Sequence, residues 1–288
     1  MSKTVLITGA TAGIGLATAL DLARRGYDVT LHGRTEEKLA AAVEQIREEV
    51  PAAKLQTVPA DLGVLTEVEQ LATTVRSSLG RLDVLINNAG VWNSKQELTK
   101  EGHELSFAVN HLAPAYLSHL LLPLQLASAE PRNIWVGSDS HKQVKGMQFD
   151  DINLDHNYHG LRSYAQSKLA NVLFCYEYER RRPDATYPAI FCVQPGLVQT
   201  DIGLKGNTWL HALAWRVRRK MSGNKTPAEG AATSIFLATQ AGVQSESGKY
   251  WDDCKVKKSY SSSYDRDEAA ILWEMTERML GVEFFELG

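Results

Sequence analysis

Cysteine is scarce in this chain: Cys175, Cys192 and Cys254 are the only three in 288 residues, and no pair has CxxC spacing. An odd, scattered set excludes a disulfide framework and a cysteine zinc site and fits a reducing compartment, so a cytoplasmic location and no metal are expected. Charge excess is missing as well. A net charge of −3 gives no electrostatic case for nucleic acid or an anionic membrane, and "RVRRK" (216–220) reads as a solvated face. Long hydrophobic runs are absent. The most apolar stretch, "LAPAYLSHLLLPLQLA" (112–127), holds two prolines and a histidine and is short for a membrane span, so it reads as a core helix that ends or bends near Pro123. The first strand pattern begins by Val5, and no signal peptide or anchor is expected before it. No repeat, low-complexity tract or linker interrupts the chain, and its length suits one large α/β domain spanning 1–288.

What is present is a regular alternation. "TVLIT" precedes a helix over about 14–25, and "DVTLHG" (28–33) precedes one carrying Leu39, Val43, Ile46 and Val50 at helical spacing, with Thr35 as cap and Glu36 and Glu37 in the first turn. "KLQTVPA" leads to a helix with Val64, Val68, Leu71, Val75 and Leu79, and "LDVLINN" (82–88), "NIWVG" (133–137) and "AIFCVQ" (189–194) are further apolar runs of strand length. Continuous apolar strands separated by helices predict a doubly wound parallel sheet covered on both faces, with ligands at the carboxyl ends of its strands. That rim collects "TGATAGIG" (8–15), "NNAG" (87–90), "GSDSH" (137–141) and "QPGLVQT" (194–200).

Three glycines, Gly9, Gly13 and Gly15, lie between the first strand and the first helix. Glycine there permits positive φ and close approach, and the open helix start attracts an anion; a tight turn without a ligand would use the same residues. Tyr164 and Lys168, four apart, project from one helical face. A phenol with a pKa of ~10 releases its proton poorly at neutral pH, and a nearby ammonium lowers that value, so the pair can serve as acid and base. Ser138 follows an apolar strand on the predicted ligand rim, with Ser140 a competitor two residues on. Asn110, polar within an apolar helix, either kinks that helix or takes part in chemistry.

"TGATAGIG", "NNAG", Asn110, Ser138, "YAQSK" and "PGLVQT" occur in the order and at the approximate spacing of the short-chain dehydrogenase/reductase family, which the chain resembles nearly end to end. The segments "FDDINLDHNYHGLRSYAQSKLANVLF", "TPAEGAATSIFLA" and "GKYWDDCKV" are similar to the retinol dehydrogenase-like branch. The resemblance implies a Rossmann fold with a seven-stranded parallel sheet and assigns Tyr164 as proton donor or acceptor. Lys168 would lower its pKa and bind the nicotinamide ribose, Ser138 would polarise the substrate carbonyl, and Asn110 would hold a water linking Lys168 to solvent. Gly9, Thr11, Gly13, Ile14 and Gly15 would bind the cofactor phosphates, Asp61 and Leu62 would flank the adenine, and Asn88, Ala89 and Gly90 would line the adjoining pocket. Pro195, Gly196, Val198 and Thr200 would position the nicotinamide.

Two departures stand out: Gly137 precedes Ser138 where relatives often carry adjacent serines, and no N-terminal anchor like that of membrane-bound relatives is expected. Gly33 sits where NAD-preferring relatives are acidic, and Arg34 follows it, which predicts NADP(H) over NAD(H). The implied activity is hydride transfer between a small apolar carbonyl compound and its alcohol. A non-catalytic dinucleotide sensor or scaffold and a reductase of an activated C=C bond are the competing readings. Residues 201–226, with Trp209, Leu210, Leu213 and Trp215, read either as a substrate lid or as an amphipathic surface helix. Relatives often pair as homo-oligomers through the helices that carry Asn110 and Tyr164.

Overall fold

The computed structural model describes residues 2–198 and 224–286. Thr200 and most of 201–226 lie outside the described residues.

The first strand, β1 (Thr4–Ile7), is buried along its whole length, as an apolar run inside a parallel sheet requires. Around it run β2 (Asp28–Gly33), β3 (Leu55–Pro59), β4 (Val84–Asn87), β5 (Arg132–Val136), β6 (Ala189–Gln194), β7 (Lys249–Asp252) and β8 (Lys255–Val256). Their spatial order is β3-β2-β1-β4-β5-β6-β7-β8. β1 pairs with β2 on one side and with β4 on the other, so the chain reverses its direction of travel across the sheet there. The crevice that such a reversal opens lies past Ile7 and Asn87, and a ligand binds outside the strand ends at that point.

The seven expected parallel strands are present, and the sheet carries one short strand more. Seven strands are parallel, and β8 adds an antiparallel edge paired Trp251 to Val256 and Asp252 to Lys255. The cause is a two-residue turn in which Asp253 and Cys254 take φ of 48° and 58°, the left-handed geometry of a tight hairpin.

Side chains alternate between the two faces of the sheet. Val5, Ile7, Val29 and Leu31 pack with α1 (Gly13–Arg24), α2 (Glu36–Glu49) and α8 (Pro227–Thr239). Leu6 and Leu85 face α3 (Leu65–Ser78) and α5 (Ala113–Leu120), while Trp135, Ile190 and Cys192 face α7 (Gly160–Arg181) and α9 (Arg266–Leu280). Between β4 and α5 lie a short turn of helix, α4 (Leu105–Phe107), and a wider π turn, Ala108–Leu112. The expected break near Pro123 is a real boundary: α5 ends at Leu120 and α6 (Leu122–Leu126) restarts with that proline in its first turn.

Helix α9 covers the outer side of α7, and the segment after it reaches α5. Trp273 stacks on Phe174 with ring centroids 5.0 Å apart, Phe284 meets His119 edge-on, and the Thr276 hydroxyl meets Nε2 of His111 at 3.0 Å. Two copies pairing through these helices would have to use surface that α9 leaves open.

Candidate active site

The glycine loop after β1 is held by the Thr8 hydroxyl and by its neighbours. Gly9 and Gly13 have φ of 65° and 56°, and a Cβ on Gly15 would stand 2.3 Å from the Gly9 carbonyl oxygen. Just past β4, Asn88 donates its side-chain amide to the Thr8 carbonyl at 2.8 Å, and the Asn88 and Ala89 N–H groups both donate to Thr8 Oγ1 at 3.0 Å. Loop and "NNAG" segment thus form one unit at the crevice. Ala12 leads into α1 with no side-chain cap, and the first turn carries no acid. Open amides at a helix start, behind a loop of glycines, fit a phosphate-bearing dinucleotide.

One residue of this unit was not legible as functional. His32, 2% exposed on β2, accepts the Gly9 N–H at Nδ1 over 3.2 Å, and its Nε2 meets the Ala60 carbonyl at 3.0 Å. A backbone N–H can only donate, so the ring proton sits on Nε2. Burial holds the imidazole neutral, with its pKa pushed down to about 4. The ring spans from the glycine loop to the residue before Asp61. Asp61 accepts the Gly63 N–H at 2.8 Å, and Leu62 is buried. Gly33 ends β2 against Thr11, whose Cγ2 would lie 2.5 Å from a Cβ at that position. Arg34 is exposed just beyond it, ahead of the Thr35 cap of α2.

Past β6, Pro195 and Gly196 (φ 88°) turn the chain so that Val198 bridges Lys225, and Val198 packs on Gly230 at the start of α8. Ile14 of α1 approaches the same glycine, bringing the loop after β6 alongside the one after β1.

The titratable cluster lies between β5 and α7. Ser138 leaves β5 in extended backbone and its hydroxyl is hydrogen-bonded with the Tyr164 phenol. Ser140 lies in the following 3-10 turn, where its N–H donates to Ser138 Oγ at 3.1 Å. Lys168 stands 5.6 Å from the Tyr164 ring centroid, and its Nζ donates to the Val136 carbonyl at 2.8 Å. Burial raises the Tyr164 phenol to about 12, an effect that the Ser138 bond partly offsets. It also lowers the Lys168 ammonium to about 8. The expected lowering of Tyr164 by Lys168 is therefore not realised in this structure, because the ammonium is turned to the β5 carbonyl. The phenol is protonated at neutral pH and ready to act as an acid.

Asn110 lies in the π turn and is 1% exposed. Its Oδ1 accepts the Val91 N–H at 2.7 Å, and its Nδ2 donates to the Val91 carbonyl and to Ser167 Oγ, each at 3.0 Å. Ser167 in turn donates to the Tyr164 carbonyl at 2.8 Å. The side chain brackets Val91, just after "NNAG", and ties the widened helix to α7. A π turn interrupts the regular i→i−4 pairing of a helix, which suits a carbonyl intended for another partner.

Lys168 yields a stability prediction. Unfolded it titrates at 10.5, folded near 8, so the unfolded chain holds more protons between those values. The cost of burying the charge is complete below pH 8 and fades as pH rises toward 10.5. Lys168→Met should stabilise the cofactor-free protein at pH 7 by up to about 3 kcal/mol, less the loss of the Val136 bond, and so raise its Tm. The gain should shrink at pH 10 in thermal melts. An unchanged or lower Tm at pH 7 would mean that the ammonium is better solvated than its burial implies.

Comparison with known proteins gives a match to the short chain dehydrogenase family over residues 3–149. Retinol dehydrogenase 14 of Mus musculus is 36% identical over 296 residues, covering 97% of this chain and 86% of its own. Dehydrogenase/reductase SDR family member 13 of Bos taurus is 37% identical over 289 residues, covering 97% and 74%. Among solved structures, an uncharacterised protein from Mycobacterium paratuberculosis superposes with a TM-score of 0.76 at 28% identity, covering 98% of this chain and 94% of that one. A short chain dehydrogenase from Escherichia coli CFT073, solved in complex with NADPH, gives 0.66 at 25% identity, covering 88% and 97%. Similarity of this extent cannot come from one shared motif, and the chain belongs to the short-chain dehydrogenase/reductase family of NAD(P)(H)-dependent oxidoreductases, in its retinol dehydrogenase-like branch.

Proposed function

We propose that this protein interconverts an apolar aldehyde or ketone and its alcohol with NADP(H), using Tyr164 as acid and base. The observation that carries the reading is the meeting of the Ser138 hydroxyl and the protonated Tyr164 phenol at the end of β5, with Lys168 one helical turn away. When bound, the nicotinamide supplies or accepts the hydride. Gly9, Thr11, Gly13, Ile14 and Gly15 would hold its phosphates, Asp61, Leu62 and Asn88 to Gly90 the adenosine side, and Pro195, Gly196, Val198 and Thr200 the nicotinamide side.

Ser138 Oγ and the Tyr164 hydroxyl both donate to the carbonyl oxygen of the substrate. In the reductive direction Tyr164 gives its proton to that oxygen; in the oxidative direction it takes the proton of the alcohol. The phenolate left after donation needs a cation, and Lys168 supplies one when its ammonium turns from the Val136 carbonyl toward the phenol. Asn110 fixes the helix that carries both residues through Ser167. A panel of aldehydes, ketones and alcohols assayed with NADPH or NADP+ tests the reading: turnover of none of them would favour a sensor or scaffold on the same fold. A cytoplasmic location belongs to the same proposal and is supported by the three cysteines, all of them free thiols.

Cofactor choice rests on the end of β2. An acidic side chain there would repel a 2′-phosphate, yet no side chain fits at position 33 without displacing Thr11 or Leu39. Arg34, exposed beside it, can take the phosphate through charge-assisted hydrogen bonds worth about 1.5–3 kcal/mol. NADPH should therefore be preferred over NADH by about one to two orders of magnitude in kcat/KM, and Arg34→Ala should erase most of the preference with little change in NADH kinetics. Equal kcat/KM for the two cofactors in the parent protein would refute the choice and leave the enzyme assignment standing.

A further inference from the structure

We propose that His141 is a positioning residue for Ser138, and that the backbone N–H of Tyr260 selects the imidazole tautomer that lets it act. The inference rests on the role given to Ser138 above. His141 is fully buried, and its Nδ1 lies 2.7 Å from the Ser138 carbonyl oxygen. On the other side of the ring, the Tyr260 N–H points at Nε2 over 3.0 Å, from a segment 119 residues further along the chain. A backbone amide can only donate, so Nε2 must carry the lone pair and Nδ1 the proton. The ring then donates to the Ser138 carbonyl. In the opposite tautomer two N–H groups would face each other at Tyr260, and the lone pair of Nδ1 would face the Ser138 oxygen.

The Ser138 carbonyl also accepts the His141 backbone N–H at 3.2 Å. Two donors from one residue fix the plane of the peptide that follows Ser138, and with it the direction of the Ser138 side chain. The loop has little other freedom. Tyr250 lies edge-on to the imidazole at 5.3 Å and donates its hydroxyl to Asp139 at 3.2 Å, and Lys142 pairs with Asp139 at 2.7 Å. A hydroxyl that must meet a substrate oxygen within hydrogen-bond reach loses rate steeply when displaced, so the bond from Nδ1 acts on turnover rather than on cofactor binding.

The ring offers its two functions at different positions, and two substitutions separate them. An asparagine amide nitrogen overlays Nδ1 and keeps a donor toward Ser138. A glutamine oxygen reaches the place of Nε2 and keeps an acceptor for Tyr260. His141→Asn should hold kcat within about threefold of the parent, whereas His141→Gln should lower kcat by about ten- to a hundredfold with the KM for NADPH unchanged. Tyr260→Pro provides an independent arm, since Tyr260 has φ of −75° and ψ of 155°, a geometry that proline adopts, and its side chain is 42% exposed. Removal of that N–H frees the tautomer and should also lower kcat without changing the NADPH KM. Equal kcat losses in the Asn and Gln variants, or a parent-like kcat in His141→Gln or Tyr260→Pro, would overturn the assignment. Ser138→Ala, run alongside, separates the two levels: if it loses turnover and His141→Gln does not, the positioning role alone falls, and if it keeps turnover, the role of Ser138 falls and takes this inference with it.

Discussion

Replacing Tyr164 by phenylalanine should cost about three to four orders of magnitude in kcat while the dissociation constant for NADPH stays within about tenfold. The change removes one hydroxyl and no ring volume. Tyr164 packs on a helix whose neighbours Ala165 and Lys168 to Leu173 are buried, so a retained ring keeps the site's shape. What disappears is the phenol beside the Ser138 hydroxyl, whose ionisation can both give and take a proton. The pH profile supplies a second check. The phenol stands near 12 in the cofactor-free protein, above its ordinary 10, because burial disfavours the anion. Alcohol oxidation needs that anion, so its kcat should climb with pH, whereas carbonyl reduction uses the protonated form and should hold through neutral pH. A Tyr164→Phe variant that turns over near the parent rate would show that the proton moves by another route.

Ser138→Ala should lower kcat by about two to three orders of magnitude, the loss typical of removing a donor aimed at a developing oxyanion. Ser140→Ala should do much less. The two hydroxyls lie 3.1 Å apart and bond to each other, so proximity alone does not separate them. Direction does: Ser138 is hydrogen-bonded with Tyr164, whereas the backbone N–H of Ser140 helps orient Ser138 Oγ and survives substitution by alanine. Steady-state kinetics with one aldehyde and saturating NADPH suffices. A larger loss in Ser140→Ala than in Ser138→Ala would move the substrate oxygen two residues along the loop.

Much of this arrangement is legible in the sequence because its causes are local. "AIFCVQ" (189–194) coincides with β6, since a strand buried on both faces favours a long apolar run, and "DVTLHG" (28–33) coincides with β2. The Thr35 cap and the glycine loop are local patterns too. What escapes is set by partners far along the chain. Asn110 in a helix reads equally as a kink or as chemistry until its bonds to Val91, 19 residues away, are seen. His32 looks like another strand residue and His141 like part of a turn, and their bonds run to Ala60 and Tyr260. β8 is two residues long and its turn holds no glycine, so neither length nor composition marks it. Ser138 and Ser140 could not be told apart by counting, because the answer depends on where β5 ends and the 3-10 turn begins.

The cover that α9 and the segment after it lay over α7 and α5 also constrains how the protein is made. A nascent chain that has delivered everything up to Asp265 already contains β1 to β8 together with Asn110, Ser138, Tyr164 and Lys168. Phe174 and Tyr178 nevertheless remain bare, and His111 has no Thr276 to meet Nε2, until Trp273 and its neighbours leave the ribosome. The chemistry-bearing helix is thus finished by residues translated after all of its own side chains, and a newly emerging chain passes through a stage with an open aromatic face that invites aggregation. A premature stop ahead of residue 266 removes a wall of the core along with the tail.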